Sequence, residues 1–287
     1  MNFDLAASFN AKLLSLAKRR GADFQSVLTR FGVERFLYRV SLTPAREALL
    51  LKGALLFDLW FEVAHRPTRD ADFLGFGAPD AARLEAIVQR AIALEVADGM
   101  TYDPASVKVQ EIREESRYDG LRVRLQGRLG RARCPIQLDV GYGDAVTPGP
   151  VEAQLPTLLP DLPAPSLRVY PRETVVAEKL EAITSLGMPN SRMKDYYDLR
   201  ALASEGAVDA GTLAAAIAAT FARRGTQIPQ GLPLGLTDEF ATDRLKQTQW
   251  NAFLSKSRLA GPPLEVVVRE VRAFLEKPLR AALERQE

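Results

Sequence analysis

Apolar and polar positions alternate along this chain with two different periods. Residues 4 to 20 and 24 to 41 repeat their apolar positions at helical spacing, and Gly21 ends the first run. Thr43-Pro44 then reads as a cap followed by proline at a first helical position. The most apolar stretch follows, "ALLLKGALLFDLWFEVA", broken at Lys52-Gly53, where a glycine permits a tight turn or a close backbone approach. Residues 70 to 76 suit a short strand, and residues 80 to 96 a helix. From 121 the period becomes two. Leu121, Val123 and Leu125 fall on one side, with Arg122, Arg124 and Gln126 on the other. A glycine-containing turn at 127 to 130 leads into "RCPIQLDVG". There Cys134, Ile136, Leu138 and Val140 oppose Gln137 and Asp139, so a hairpin with one polar face is expected.

Six prolines without a clear period occupy residues 148 to 165 and read as a linker. From 171 onward nearly every segment has helical spacing. The expected architecture is α+β: a mixed lobe with N-terminal helices over 1–165, then a mainly helical lobe over 166–287.

Composition narrows the function classes. The 287 residues are 47% apolar and 26% charged, ordinary globular values with a net charge of only +2. Residues 1 to 50 hold eight Lys/Arg against four Asp/Glu, an excess that suits either a polyanionic partner or a solvated helix face. One cysteine, Cys134, and one histidine, His65, exclude an internal disulfide and a zinc finger, and any serine or cysteine triad would have to use His65. No apolar run is long enough to span a membrane and the N-terminus lacks a signal pattern, so a cytoplasmic protein is expected. Neither GxxxxGK[ST] nor GxGxxG occurs.

The candidate chemistry is carboxylate and lysine. Asp70 and Asp72 stand at strand spacing, so both side chains leave one face. Their repulsion is relieved if Mg²⁺ lies against both, completed by water and substrate phosphates; a solvated strand edge is the alternative. Asp139, on the polar face of the hairpin, is a candidate third acid or a plain strand-end residue. Lys179 falls in the middle of a stripe formed by Val175, Val176, Ile183 and Leu186, where an ammonium must snorkel or meet an anion. Asp195 projects between Leu199 and Leu202 on the next helix, with Asp198 beside it, and an inward acid calls for a cation or a catalytic role. Lys194 and Asp198 have the spacing of a surface pair. Arg192 could guard a phosphate or pair with either acid. Arg66 and Arg69 could touch phosphate or an exposed ionic partner, and His65 has no motif beside it.

Six stretches, "ERFLYRVS", "LKGALLFDLW", "RPTRDADFLG", "IQLDVGYGD", "PRETVVAEKLEAI" and "RMKDYYDLRAL", occur in an order that resembles the AbiEii/AbiGii toxin family of nucleotidyltransferase-like proteins, which includes the Men-type toxins. They cover most of residues 24 to 202. The resemblance implies a DNA polymerase β-like nucleotidyltransferase core with a small mixed sheet over 1–165 and a helical lobe over 166–287 that completes the active site. It implies Mg²⁺ on Asp70 and Asp72, Asp139 as a candidate third acid, Lys179 on the nucleoside triphosphate, and Asp195 or Asp198 in the active site. Gly53, Arg66, Thr68, Asp139, Arg192 and Lys194 are the expected substrate-binding residues. The implied partners are an NTP, tRNA and a cognate antitoxin, often of winged-helix type.

Men-type relatives add nucleotides, pyrimidines in the best-understood cases, to the tRNA 3′ end and block aminoacylation. Transfer to a protein hydroxyl, or a non-catalytic antitoxin-binding module, are the alternatives. Two positions depart from the family pattern. Ala54 follows Gly53 where Gly or Ser is usual, leaving only backbone N–H groups for phosphate there. Thr68 stands where serine is frequent, so a hydroxyl is kept; a phosphate on it would set like charge beside Asp70. On charge alone, Arg19, Arg20, Arg35, Arg39, Arg122 and Arg124 are candidates to follow an RNA backbone.

Overall fold

The computed structural model describes residues 2–62, 65–113 and 119–285. They divide into two compact units: residues 1–143 with 151–169, and residues 144–150 with 170–287. Against the single boundary at 165/166 read from the sequence, the chain enters the second unit at 144, returns at 151 and leaves again after 169.

The first unit opens with helices α1 (Asn2–Arg20), α2 (Phe24–Ser41) and the short α3 (Ala45–Ala48). Strand β1 (Leu49–Lys52) runs through a 3₁₀ turn at Gly53–Leu56 into α4 (Phe57–Trp60). Then come β2 (Asp70–Gly75), α5 (Ala81–Ile92), β3 (Met100–Arg113), β4 (Asp119–Leu129), β5 (Ala132–Tyr142), β6 (Val151–Gln154) and β7 (Ser166–Val169). Among the described residues, these seven strands join one mixed sheet in the order β3-β4-β5-β2-β1-β7-β6. The parallel pairs are β2 with β5 and β1 with β7; the others are antiparallel. The sheet is larger than the sequence suggested. Residues 151–154, expected in a linker, form an edge strand against β7.

One face of this sheet is apolar. Ala71, Phe73, Val123, Leu138 and Val140 are buried, and α2 packs on β5 while α5 packs on β3 and α2. Gly32 makes the approach of α2 possible: a Cβ there would collide with the Cys134 sulfur and lie 3.4 Å from the Met100 methyl. The lone cysteine is therefore a packing residue. Its thiol bonds to the Leu28 carbonyl at 3.3 Å, and burial pushes its pKa up to about 12, which removes it as a nucleophile.

The charges of "ERFLYRVS" turn inward as well. Arg39 forms a fork on Asp98, with bonds of 2.6 and 3.1 Å, and donates to the Leu94 carbonyl. Arg35 donates to the Pro163 carbonyl at 2.7 Å, and Glu34 accepts the Leu158 N–H at 2.7 Å. Both arginines are buried, so neither follows an RNA backbone. They fasten loops to α2.

The second unit holds α6 (Arg172–Leu186), α7 (Met193–Glu205), α8 (Ala210–Arg224), α9 (Asp238–Thr242), α10 (Arg244–Ser257) and α11 (Leu264–Leu283). Helix α6 packs on α8, and α11 packs on α7 and α8. Leu180, Ile183, Leu199, Ile217, Phe221, Val271 and Leu275 form the shared core. The returning segment 144–150 is tied to α6, where Thr174 exchanges hydrogen bonds of 2.9 and 3.0 Å with the Thr147 backbone. No described helix is long and apolar enough to cross a membrane.

Candidate functional site

The polar face of the sheet carries the acids. β2 lies between β5 and β1, and its register sets Asp72 opposite Asp139 on one side and Lys52 on the other. Asp139 in turn faces Arg122 on β4. A row therefore crosses four strands: Lys52, Asp72, Asp139, Arg122. Two residues along, Asp70 stands opposite Gln137, which in turn faces Arg124 on β4. Directly opposed residues share a face, so both acids of β2 and Asp139 project to the same side. Alternate burial along β2 and β5 agrees, with Ala71, Phe73, Leu138 and Val140 buried between less buried acids.

Arg122 holds Asp139 firmly. Its Nε and Nη2 donate to Oδ1 and Oδ2, each at 2.7 Å, a bidentate fork. That hydrogen bonding, joined by the Asp139, Asp70 and Asp72 charges, raises the guanidinium pKa further above its ordinary value.

Gly53 shapes the other end of the row. Its φ is +78°, and a Cβ would enter the Asp72 carboxylate, 2.8 Å from Cγ. Glycine is needed both for the left-handed backbone and for the space. Thr68 donates its hydroxyl to the Asp70 carbonyl at 3.3 Å, which stabilises the entry into β2. Arg66 is half-buried and Arg69 exposed. His65 stacks on Phe57, with ring centroids 4.4 Å apart, and is a packing residue.

These side chains suit Mg²⁺. The donors are hard carboxylate oxygens from two residues on one face, the set that Mg²⁺ uses together with water and phosphate. Among the described residues, no three Asp, Glu, His or Cys side chains group so as to hold an ion by themselves, and Asp139 is engaged by Arg122. The fit is to an ion held by Asp70 and Asp72 and completed from outside the protein.

In the second unit Lys179, from α6, meets two acids of α7. Its Nζ donates to Asp195 Oδ1 and Asp198 Oδ2, both at 2.7 Å. Arg192 Nε donates to the other Asp195 oxygen, also at 2.7 Å. The two acids are buried, with side chains 1% and 0% exposed. Burial alone would push the Asp195 carboxyl up; Lys179 and Arg192 outweigh it and hold the group below its ordinary value. Asp198 is thus the partner of Lys179 rather than of Lys194, which stands exposed.

Sequence reasoning missed two groups. Lys52 became visible only through the β1–β2 register. Arg224 gathers Glu181 at 2.8 Å, Asp144 at 3.1 Å and Glu178 at 3.5 Å, all within the second unit. The acid that ends "IQLDVGYGD" is thereby anchored to α8.

Comparison with known proteins places these features. No curated protein matches the chain. Two Helicobacter pylori crystal structures share the fold. JHP933 has a TM-score of 0.51 and 15% identity over 92% of this chain and 95% of its own. A protein described as a candidate nucleotidyltransferase has a TM-score of 0.52 and 16% identity over 92% and 99%. The family model for the nucleotidyl transferase AbiEii toxin, type IV toxin–antitoxin system, matches residues 35–284, a span containing both acid groups. The chain belongs to the AbiEii family of nucleotidyltransferase toxins of type IV toxin–antitoxin systems.

Proposed function

We propose that this toxin transfers a nucleotide from an NTP, with pyrimidines preferred, to the 3′ end of tRNA, and so blocks aminoacylation and translation. The observation that carries the reading is the cross-strand row in which Asp72, beside Asp70, stands between Lys52 and the Arg122–Asp139 fork. A mere solvated edge would not need a glycine at φ +78° packed against one carboxylate and a cation in register at each end.

In this reading Asp70 and Asp72 hold Mg²⁺. When bound, the ion stabilises charge developing on the attacking and leaving oxygens. Gly53 keeps the Asp72 carboxylate in its rotamer. Arg122 keeps Asp139 oriented beside the pair. Lys179 is the residue for the triphosphate, and Asp195 and Asp198 fix its ammonium; their bonds to Nζ support holding Lys179 over acting as base. Arg192 shields Asp195 and offers an exposed guanidinium edge for phosphate. Arg66, Thr68 and Lys194 remain candidates for substrate contact. The family implies an antitoxin partner, for which a winged-helix protein is our proposal, and the cytoplasm is the expected place of action.

Incubation with each radiolabelled NTP, Mg²⁺ and total tRNA tests this. Label at RNA 3′ ends, strongest from CTP or UTP and lost in Asp70→Asn, is expected. Label in none of the RNA with any NTP would overturn the reading. Label in protein alone would move the acceptor to a protein hydroxyl.

A further inference from the structure

The acid-bearing face of the sheet continues away from Asp70 and Asp72 as a basic surface. On β4, Arg122, Arg124, Gln126 and Arg128 share this face, because Leu121, Val123, Leu125 and Leu129 are buried on the other. The register sets Lys108 of β3 directly opposite Arg124, and Arg133 of β5 directly opposite Arg128. These are two like-charge cross-strand pairs, an arrangement that opposes folding. All four residues are exposed. None of the four has an ion-pair partner among the described residues; Arg124 donates only to Gln137, at 3.3 Å. Asp103, on the same face opposite Gln126, is occupied by the Ala105 N–H.

We infer that this β3–β4–β5 face is the docking surface for the phosphate backbone of the nucleic-acid acceptor, a refinement that rests on the proposed transfer to RNA. Its chemistry selects that partner. The positions among the cations are Gln110, Gln126, Gln137 and the exposed Pro135 opposite Gln126, with no aromatic residue and no Leu, Ile, Val or Met among them to act as the anchor a protein partner needs at its hot spot. Three of the four cations are arginines, whose planar fork matches phosphate. The two pairs lie four residues apart on β4, about 13 Å at strand rise. Phosphates laid across them relieve the repulsion that the bare face carries.

The test uses the full chain and deacylated total tRNA as probe, with binding followed by fluorescence anisotropy between low and moderate KCl. The face variant is Arg124→Ala with Arg128→Ala and Arg133→Ala. The control, Lys256→Ala with Arg269→Ala and Lys277→Ala, removes the same charge from exposed positions on α10 and α11. The face variant should lose about 10-fold or more in affinity at 0.1 M salt, and its log–log salt slope should flatten by about 2. The control should bind like the parent. With two repulsive pairs removed, the face variant should also melt no lower than the parent.

Equal losses in both variants, or parent-like binding by the face variant, would overturn the inference. So would unchanged tRNA affinity together with weakened binding of poly-glutamate, which assigns the face to an acidic protein. Parallel labelling separates this from the transfer reading. tRNA binding that depends on the face without any NTP label would sink transfer and leave the surface standing. Label transferred by the face variant at the parent KM would do the reverse.

Discussion

Removing Lys179 should unfold before it informs. The ammonium bridges Asp195 and Asp198 at 2.7 Å each, and those carboxylates are 1% and 0% exposed. Taking one partner from a buried pair costs about 3–5 kcal/mol, because a charge is left without its counter-ion in a poorly solvated place. Arg192 stays on Asp195, so the lower figure applies to Lys179→Ala. Against a stability of about 5–15 kcal/mol and a urea slope near 2 kcal/mol/M, the midpoint should fall by roughly 1.5 M. Urea unfolding followed by far-UV dichroism measures it. Neutralising the stranded acids should restore part of the loss: Lys179→Met with Asp195→Asn and Asp198→Asn should recover at least half.

The same triad has a pH signature. Asp195 titrates lower in the folded protein than in the unfolded chain. Its contribution is complete above the unfolded value and drains as pH falls from the ordinary 3.8 toward the depressed folded value. Asp195→Asn should therefore be less stable at neutral pH yet lose less further stability on acidification. A Lys179→Ala midpoint within about 0.3 M of the parent would refute the reasoning. It would also mean that lost toxicity in this variant reports chemistry directly.

Two further outcomes follow from the sheet. Gly53→Ala must hold a φ of +78° and displace the Asp72 carboxylate; it should cost about 1–2 kcal/mol in stability but about 100-fold in label transfer, and parent-level transfer would show that Asp72 tolerates the shift. Arg122→Gln frees Asp139 to join the acid pair; Mn²⁺ affinity, read by electron paramagnetic resonance, should rise about 10-fold and return to the parent value when Asp139→Asn is added, whereas unchanged or weaker binding would show that Arg122 does not restrain Asp139.

Local spacing carried part of the site. The interval of Asp70 and Asp72 placed them on one face, and the helical stripe around Lys179 marked a cation that needed an anion. The anion, however, is protein: Asp195 and Asp198, each noticed as misplaced, are what Lys179 meets. Pairing between distant strands has no local period, so the Arg122–Asp139 fork and the Lys52 register could not be read. β3 was missed because Asp103, Pro104 and an irregularity between Asp103 and Lys108 break its alternation. β1 is a four-residue, mostly leucine strand inside a longer apolar run, where strand and helix look alike. Arg35 and Arg39 were misjudged because α2 is buried almost all round, and a charge count does not say which charges face solvent.

The position of β2, fourth of seven strands and hydrogen-bonded on both edges, has a consequence for how this toxin can diverge. Substitutions at Arg122, Lys52 or Thr68 alter the surroundings of the acids one contact at a time. A single residue inserted or deleted within the strand would exchange Asp70 and Asp72 with their apolar neighbours, sending both carboxylates into the core and Phe73 onto the polar face. In related chains, length variation should therefore collect in the loops on either side, and the six residues of β2 should keep their number even where their identities drift.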